Sequence, residues 1–376
     1  MHTSSQIYYI ACFVFLFFSL IEFYTKNEKL RKATFISATI FFILFWAPRG
    51  YLFSDWKNYE PLLNQVSSCP WTRLTTIEGY EPGFLVLLKV TSLFLNNYLF
   101  FQFIYSTACI VALHVIFYKI SPFPSVSWLI FFLTGLELFG TIRNFIAVLI
   151  FYSALIFISE KKLIHYFAAI FLACLFHISA LIFFPLYFLI NREYNRKFLA
   201  IILFCGVVCY IFAFSPFDLL LEFFKLFSPK FASYFAGHYS DSFIPRSLGR
   251  LIWGCVGFVV LFFWNQIKTN NKCFIIIANL LLTNLFISFF LNSNGEIQRR
   301  GMMLFVLSYS LIIPMTLNTN VSILKNFMKF IILLCIIKIP GAYSNFRFYY
   351  ENHLFQRSIM SYDERLELLE EYEMKN

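Results

Sequence analysis

LFGTIRNFIAVLIFYSALIFISEKKLIHYFAAIFLACLFHISALIFFPLYFL, residues 138–189, contains three long apolar runs with few polar residues between them. Arg143 stands at the start of the first run and His177 where the second and third meet. Glu160, Lys161 and Lys162 form the charged cluster that separates the first run from the second. An ionisable side chain at membrane depth is expensive unless it is paired or hydrated, so Arg143 and His177 are functional candidates by position alone.

The rest of the chain has the same character. Of its 376 residues, 60% are hydrophobic and 13% charged, and 53 are Phe and 22 Tyr. A soluble protein of this length could not bury so much apolar surface, so the solvent must be largely lipid. The expected fold is an all-α integral membrane protein with about twelve transmembrane helices plus interfacial or re-entrant helices. It forms one domain over 1–345, with a tail over 346–376. Apolar runs fall near 7–25, 33–48, 98–118, 125–140, 142–159, 163–176, 178–190, 198–214, 247–266, 273–291, 301–317 and 323–339. Several are shorter than the ~20 residues needed to cross ~30 Å of hydrocarbon, so 125–159 and 163–190 require tight hairpins. The short run 83–97 carries Lys89 and is expected to lie at the interface or re-enter without crossing. The N-terminal run has no basic region before it and no small-residue cleavage site, and reads as a retained helix.

Orientation follows from the short loops, since Lys and Arg accumulate on the cytoplasmic side. Lys26, Lys29, Arg31 and Lys32 place the first loop inside. Alternation then puts Lys119, Lys161, Lys162, Arg192, Arg196, Lys197, Lys268 and Lys272 on the same side. The net charge of +10 is accounted for by this topology and implies no nucleic-acid partner. The outer face receives the loops 49–82 and 215–246, Arg143, His177, residues 292–300 and the tail. Within 215–246, Phe217, Leu220, Phe223 and Phe224 alternate with Asp218, Glu222 and Lys225, as in an amphipathic helix lying on the membrane. The acidic stretch 363–373 has a helical period and is expected to be solvated. The nine cysteines lie mostly inside apolar runs and form no metal or disulfide pattern.

Single polar residues on this face have ordinary explanations. Arg49 could anchor a helix end and Asp55 could cap one, with Tyr59 at i+4 on the same face. Glu81, just before Pro82 and Gly83, could be a helix N-terminal residue. Together they suggest more. Arg49, Arg143, Arg299 and Arg300 all fall at outer helix ends, with Asp55, Glu81 and His177 on the same side. Guanidinium forks bind phosphate oxygens bidentately, so this pattern suits a lipid-linked diphosphate with its tail between helices.

At these residues the chain resembles the EpsG-like branch of the Wzy polysaccharide polymerases. The matching pieces are PRGYLFSDWKNYEPL (48–62), EPGFLVLLKV (81–90), TIRNFIAVLIFYSALIFISEKKLIHYF (141–167) and LFHISALIFFPLYFL (175–189), in the family's order. In the first piece Phe53 and Ser54 precede Asp55, where the family usually has Gly–Thr. The resemblance implies an enzyme that joins oligosaccharide repeat units carried on undecaprenyl diphosphate into O-antigen, capsule or exopolysaccharide. It would work at the outer face of the bacterial cytoplasmic membrane, with membrane lipid and a chain-length regulator protein as further partners.

Such a transfer needs a stabilised leaving group and a deprotonated acceptor hydroxyl. Arg143 with Arg299 or Arg300, and Arg49 as a further contact, are expected to hold the diphosphate. Glu81 and Asp55 are the candidate general bases, with Glu81 ahead because Pro82 and Gly83 fix its backbone. His177 is expected to bind diphosphate or orient a carboxylate, and Tyr59 to contact substrate. No acidic cluster suggests a divalent metal, so a metal-independent glycosyltransferase without a cofactor is expected. The rival readings are an O-antigen ligase using the same donor, a membrane sugar O-acyltransferase and a polysaccharide flippase. The last would place its charges along a central path rather than at the outer rim.

Overall fold

The computed structural model describes residues 3–216, 247–292, 295–342, 349–355 and 360–375. The helix expected within 215–246 lies outside the described residues, apart from its first two positions. Among the described residues the regular structure is helical throughout, and the one β-type contact is an isolated bridge between Arg49 and Asn352. Among the described residues three helices are long and apolar enough to cross a membrane: α1 (Thr3–Tyr24), α5 (Tyr98–Ile120) and α7 (Ile142–Ser159). A fourth is reached if Gln298–Phe305 and Leu307–Leu317, bent by 45° at their break, count as one span. Six further apolar helices have 10–17 residues, so the count of about twelve spans is not confirmed. Large apolar side chains face outward, among them Phe13, Ile164 and Phe171 at 58%, 80% and 64% exposure. A water-facing surface would not carry them in such number, and this is a membrane protein.

The chain divides into two compact units, Met1–Tyr187 with Ile332–Asn376, and Phe188–Ile331. In the first, α1 packs on α2 (Glu28–Trp46) and α6 (Pro124–Thr134), and α5 packs on α2 and α7. One end of this unit is marked by Arg31, whose Nη2 donates to Pro122 O at 2.7 Å, and by Glu22, which accepts from Ser125 N at 2.7 Å. The basic loops carrying Lys26–Lys32 and Lys119 therefore sit together, in accord with the charge rule.

The other end gathers 49–62, 79–84, 98–102 and 141–143. There α3 (Trp56–Ser68) packs on α4 (Pro82–Phe94), and Lys89, 7% exposed, donates to Ser67 O at 2.8 Å, closing the C-terminus of α3. Helix α4 starts beside Arg143. It is followed by Asn97, whose side chain caps α5, and Gln102 one turn later donates to Arg49 O at 2.6 Å. Helix α4, 13 residues long, thus begins and finishes at the same end of this unit.

The hairpin needed after Ser159 is made by a helix stop. Lys161 takes φ +58°, Lys162 N donates to Phe157 O at 2.8 Å and Lys161 N to Ile158 O at 3.2 Å. Helix α8 (Leu163–Cys174) then runs back along α7. After His177 the chain returns again, with Tyr166 Oη donating to Phe183 O at 2.6 Å and the Phe167 and Phe184 rings stacked 5.4 Å apart. His177 thus sits at the tip of a hairpin.

The tail departs from expectation. It is docked, not solvated: Tyr350 Oη bonds Phe45 O, Tyr362 packs on Trp56 at 5.3 Å, and Arg365 is 1% exposed with Nη2 on Tyr349 O. The helix Tyr362–Lys375 keeps its acidic face outward but buries Arg365 and Leu369. Periodicity gave the helix; its two inward residues decide that it packs.

The second unit is built around Phe274–Phe290, which packs against Arg196–Ile211, Leu248–Phe262, Gly295–Phe305 and Leu307–Leu317. Its buried amides tie the helices together, Asn284 Nδ2 donating to Met302 O at 2.7 Å and Asn279 Nδ2 to Ile190 O at 2.8 Å.

Candidate active site

Three segments converge on one carboxylate. Glu81 precedes Pro82, the first residue of α4, in extended backbone, and its side chain makes no capping bond. It reaches across instead. Oε2 accepts from Arg143 Nη1 at 2.6 Å, while Oε1 accepts from Ile178 N at 3.1 Å and lies 3.0 Å from His177 Nδ1. Gly83 makes this approach possible. Its N–H donates to Leu175 O at 2.8 Å, and a Cβ there would stand 2.7 Å from that same oxygen. The Glu–Pro–Gly sequence thus lets the hairpin tip with His177 settle on the start of α4.

Arg143, in the first turn of α7, is held on several sides. Nε donates to Tyr59 Oη at 3.2 Å, Nη1 also donates to Gly79 O at 3.2 Å, and the guanidinium lies 5.0 Å from the centre of the Tyr80 ring. Side-chain exposures of 23%, 15% and 25% for Arg143, Glu81 and His177 leave the group half-open, accessible to a ligand but not dispersed in water.

Burial opposes ionisation of Glu81. The hydrogen bonds from His177 and Ile178 and the Arg143 charge outweigh it and hold its pKa at about 2. Such a carboxylate stays charged and takes protons poorly. It sets the imidazole instead: with the proton on Nδ1 directed at Glu81, His177 keeps Nε2 as its acceptor. Burial, and then the charge of Asp55, push the Tyr59 phenol up to about 12 against the opposing pull of Arg143, so Tyr59 serves as a neutral hydroxyl. Asp55 stands at the start of α3 without a capping bond, near Tyr59.

Arg49 belongs elsewhere. It is 2% exposed, its Nη1 donates to Ser106 Oγ at 2.6 Å and Trp46 O at 3.1 Å, and its guanidinium lies 5.0 Å from the Trp46 ring and 5.4 Å from Phe139. It holds the junction of α2, α5 and the tail and offers no open edge to a diphosphate. Arg299 and Arg300 lie in the second unit, exposed, on the helix Gly295–Phe305. Gln298 beside them is buried and donates to Ser288 O at 2.5 Å, which turns the two arginines outward.

Two residues went unnoticed in the sequence. Asn144 Oδ1 and Ser179 Oγ are buried without a hydrogen-bond partner among the described residues, one beside Arg143 and the other two positions from His177. Buried polar atoms left unpaired are uncommon and mark places for a water or a ligand group. Their adjacency to Arg143 and His177 was the available signal. Among the described residues no three of His, Cys, Asp and Glu are grouped as a metal site.

A family model, that of the EpsG family, matches residues 32–362. Comparison with curated proteins gave no match, and comparison with solved structures gave none either.

Proposed function

This chain belongs to the EpsG family, and from that premise we propose that it polymerises a bacterial cell-surface polysaccharide. The donor is a growing chain on undecaprenyl diphosphate and the acceptor is a hydroxyl on the sugar of an incoming lipid-linked unit. Transfer takes place at the outer face of the cytoplasmic membrane. The observation that supports this reading is the convergence of Glu81, Arg143 and His177, one from each of three separate segments, on a half-open site.

In the transfer the acceptor oxygen forms a bond to the anomeric carbon of the donor sugar as that carbon's bond to the diphosphate oxygen breaks. The electron pair leaves with the diphosphate, and Arg143 at its oxygens lowers the barrier by offsetting the charge that develops there. The acceptor proton goes to His177 Nε2. Glu81 is a positioning residue: it holds the imidazole tautomer and keeps Arg143 in place. This reverses the order suggested by sequence, in which Glu81 came first as base, because a carboxylate held at about 2 is a weak proton acceptor. Tyr59 Oη accepts from the guanidinium Nε and helps to hold Arg143 in place. Arg299 and Arg300 remain candidate diphosphate ligands, Asp55 a candidate for sugar contact, and a chain-length regulator a candidate partner. The transfer is proposed to run without a metal ion.

The test pairs a gene deletion with complementation by His177→Gln. Under this reading the deletion strain keeps a single repeat unit on its surface glycolipid and loses the ladder. His177→Gln at normal protein level does not restore it, and purified His177→Gln extends a lipid-linked repeat ~10²–10⁴-fold more slowly than wild type. Loss of every unit would instead indicate a ligase or flippase, and an unchanged ladder with altered acetylation an acyltransferase.

A further inference from the structure

Next to the charged group, bordered by Phe176 beside His177 and by Ile146 one turn from Arg143, lies an apolar groove. A cavity of about 470 Å³ lies between α4, α5, α7 and α8, within the size range of sites that enclose a ligand. Its α7 wall includes Ile146, Ile150, Ser153 and Phe157, with Leu149 and Ala154 beside them. With Arg143 the first four follow at spacings of 3, 4, 3 and 4, which is one stripe along a helix. Phe176, next to His177, lines the same groove. At 1.5 Å per residue the α7 lining from Ile146 to Phe157 runs about 17 Å, roughly half of the hydrocarbon layer, with Arg143 one turn beyond its upper end.

Small residues keep the space open. Ala108 and Ala112 face it from α5 and Ala169 from α8. Ala108 and Ser153 are exposed, so the groove opens on the surface of its unit rather than being sealed inside. The lining is mostly apolar, with Ser153, Tyr105 and Thr91 as its hydroxyls, and Thr91 spends its own on the Leu87 and Leu88 carbonyls of its helix.

We propose that this groove holds the polyprenyl chain of the lipid-diphosphate donor, a proposal that rests on the reading of the donor given above. A cation one turn beyond the groove and a largely apolar lining complement a ligand with one anionic head and one long hydrocarbon tail. Seating the tail fixes the height of the diphosphate against Arg143, and with it the distance from the anomeric carbon to His177. The tail thus contributes to orientation at the reacting carbon, a use of binding energy remote from the bond that breaks.

The test uses full-length protein in phosphatidylethanolamine–phosphatidylglycerol nanodiscs and a photoreactive undecaprenyl diphosphate that carries no sugar. Cross-links are expected on peptides of α5 and α7, competed by unlabelled undecaprenyl diphosphate and not by added phosphatidylglycerol. Ser153→Phe and Ala108→Phe fill the groove from its open side and should each lower labelling at least tenfold, the two variants guarding against a misfolded one. Ile156→Phe, on the lipid-facing side of α7, should label as wild type does. Labelling that phosphatidylglycerol competes equally would make the occupant an ordinary acyl chain and overturn the proposal. So would labelling unchanged in both groove variants. The outcomes for groove and polymerase separate: labelling without chain extension rejects the polymerase reading alone, and chain extension with labels elsewhere rejects the groove alone.

Discussion

Arg49 and Arg143 both stand at helix ends on the same side of the first unit, and in the sequence they look alike. In the fold they are opposites. Arg49 is enclosed by Trp46, Phe139 and Ser106 and is 2% exposed; Arg143 pairs with Glu81 in a half-open site between Tyr59 and Tyr80. Burial pulls the Arg49 guanidinium down to about 10, and its compensation is a hydroxyl, a carbonyl and two ring faces. Arg143 is compensated by a full negative charge that also engages a histidine. One arginine fastens chain segments together, and the other is left able to meet an anion.

Substituting each arginine tests the contrast most strongly. Arg143→Lys keeps the charge and loses the fork, so chain extension by purified enzyme should fall by about 10²–10³-fold with normal thermal unfolding. Arg49→Met keeps most of the volume but strands Ser106 Oγ and the Trp46 carbonyl. Each buried group left unpaired costs about 1–3 kcal/mol. Arg49→Met should therefore lower the unfolding temperature and abundance while activity per folded molecule stays within about threefold, a stability effect without a site effect. Normal abundance with lost activity in Arg49→Met would erase the contrast and return Arg49 to the site.

Glu81 gives the next effect. Glu81→Gln removes the charge that pairs with Arg143 and orients His177, and extension should fall at least about tenfold, as when a group orienting a functional histidine is lost. Its pH signature separates positioning from base catalysis. The folded pKa of about 2 lies below the usual 4.5, so Glu81 stabilises the fold fully above pH 4.5 and that contribution is lost as pH falls through 2. Thermal unfolding of wild type and Glu81→Gln should differ at neutral pH and converge toward pH 2. Glu81 does not titrate between pH 5 and 8, so an activity limb there in wild type would belong to another group and exclude Glu81 as the base.

Much of this site was legible. Glu81, Arg143, His177 and Tyr59 were each singled out in the sequence, since charges placed among apolar runs are conspicuous whatever the fold. The shortness of α4 was legible too, and the helix begins and finishes at one end of its unit. The roles within the site were not. Which carboxylate is restrained depends on Leu175 O meeting Gly83 N, a contact between residues 92 positions apart. The enclosure of Arg49 depends on Phe139 and Ser106, distant in sequence and unremarkable in composition. The docked tail depends on Tyr350 and on Arg365, the latter inside the acidic stretch 363–373 that suggested solvent. Helix count suffered for another reason: apolar runs give the length of hydrophobic sequence, not where a helix breaks inside it.

The smallest effect is expected where the two arginine regions meet. Phe53 has φ +67°, a conformation that costs an L-residue roughly 1–2 kcal/mol and glycine almost nothing. It stands where the EpsG-like pattern has glycine. Its ring lies 6.3 Å from that of Trp46, the shelf under Arg49, and against Gly140, three residues before Arg143. A Cβ on Gly140 would come within 2.5 Å of Phe53 Cγ. Phe53→Gly relieves the backbone but gives up the ring packing, so stability should change by no more than about 1 kcal/mol in either direction. Gly140→Ala alone forces the ring aside at a cost of about 1–3 kcal/mol and shifts the start of α7, lowering extension by up to about tenfold. With Phe53→Gly also present the clash is gone, so the double variant should recover both stability and rate, a coupling of about 0.5–3 kcal/mol. Additive losses would mean that the contact carries nothing between the two regions, and that Arg49 and Arg143 are held independently.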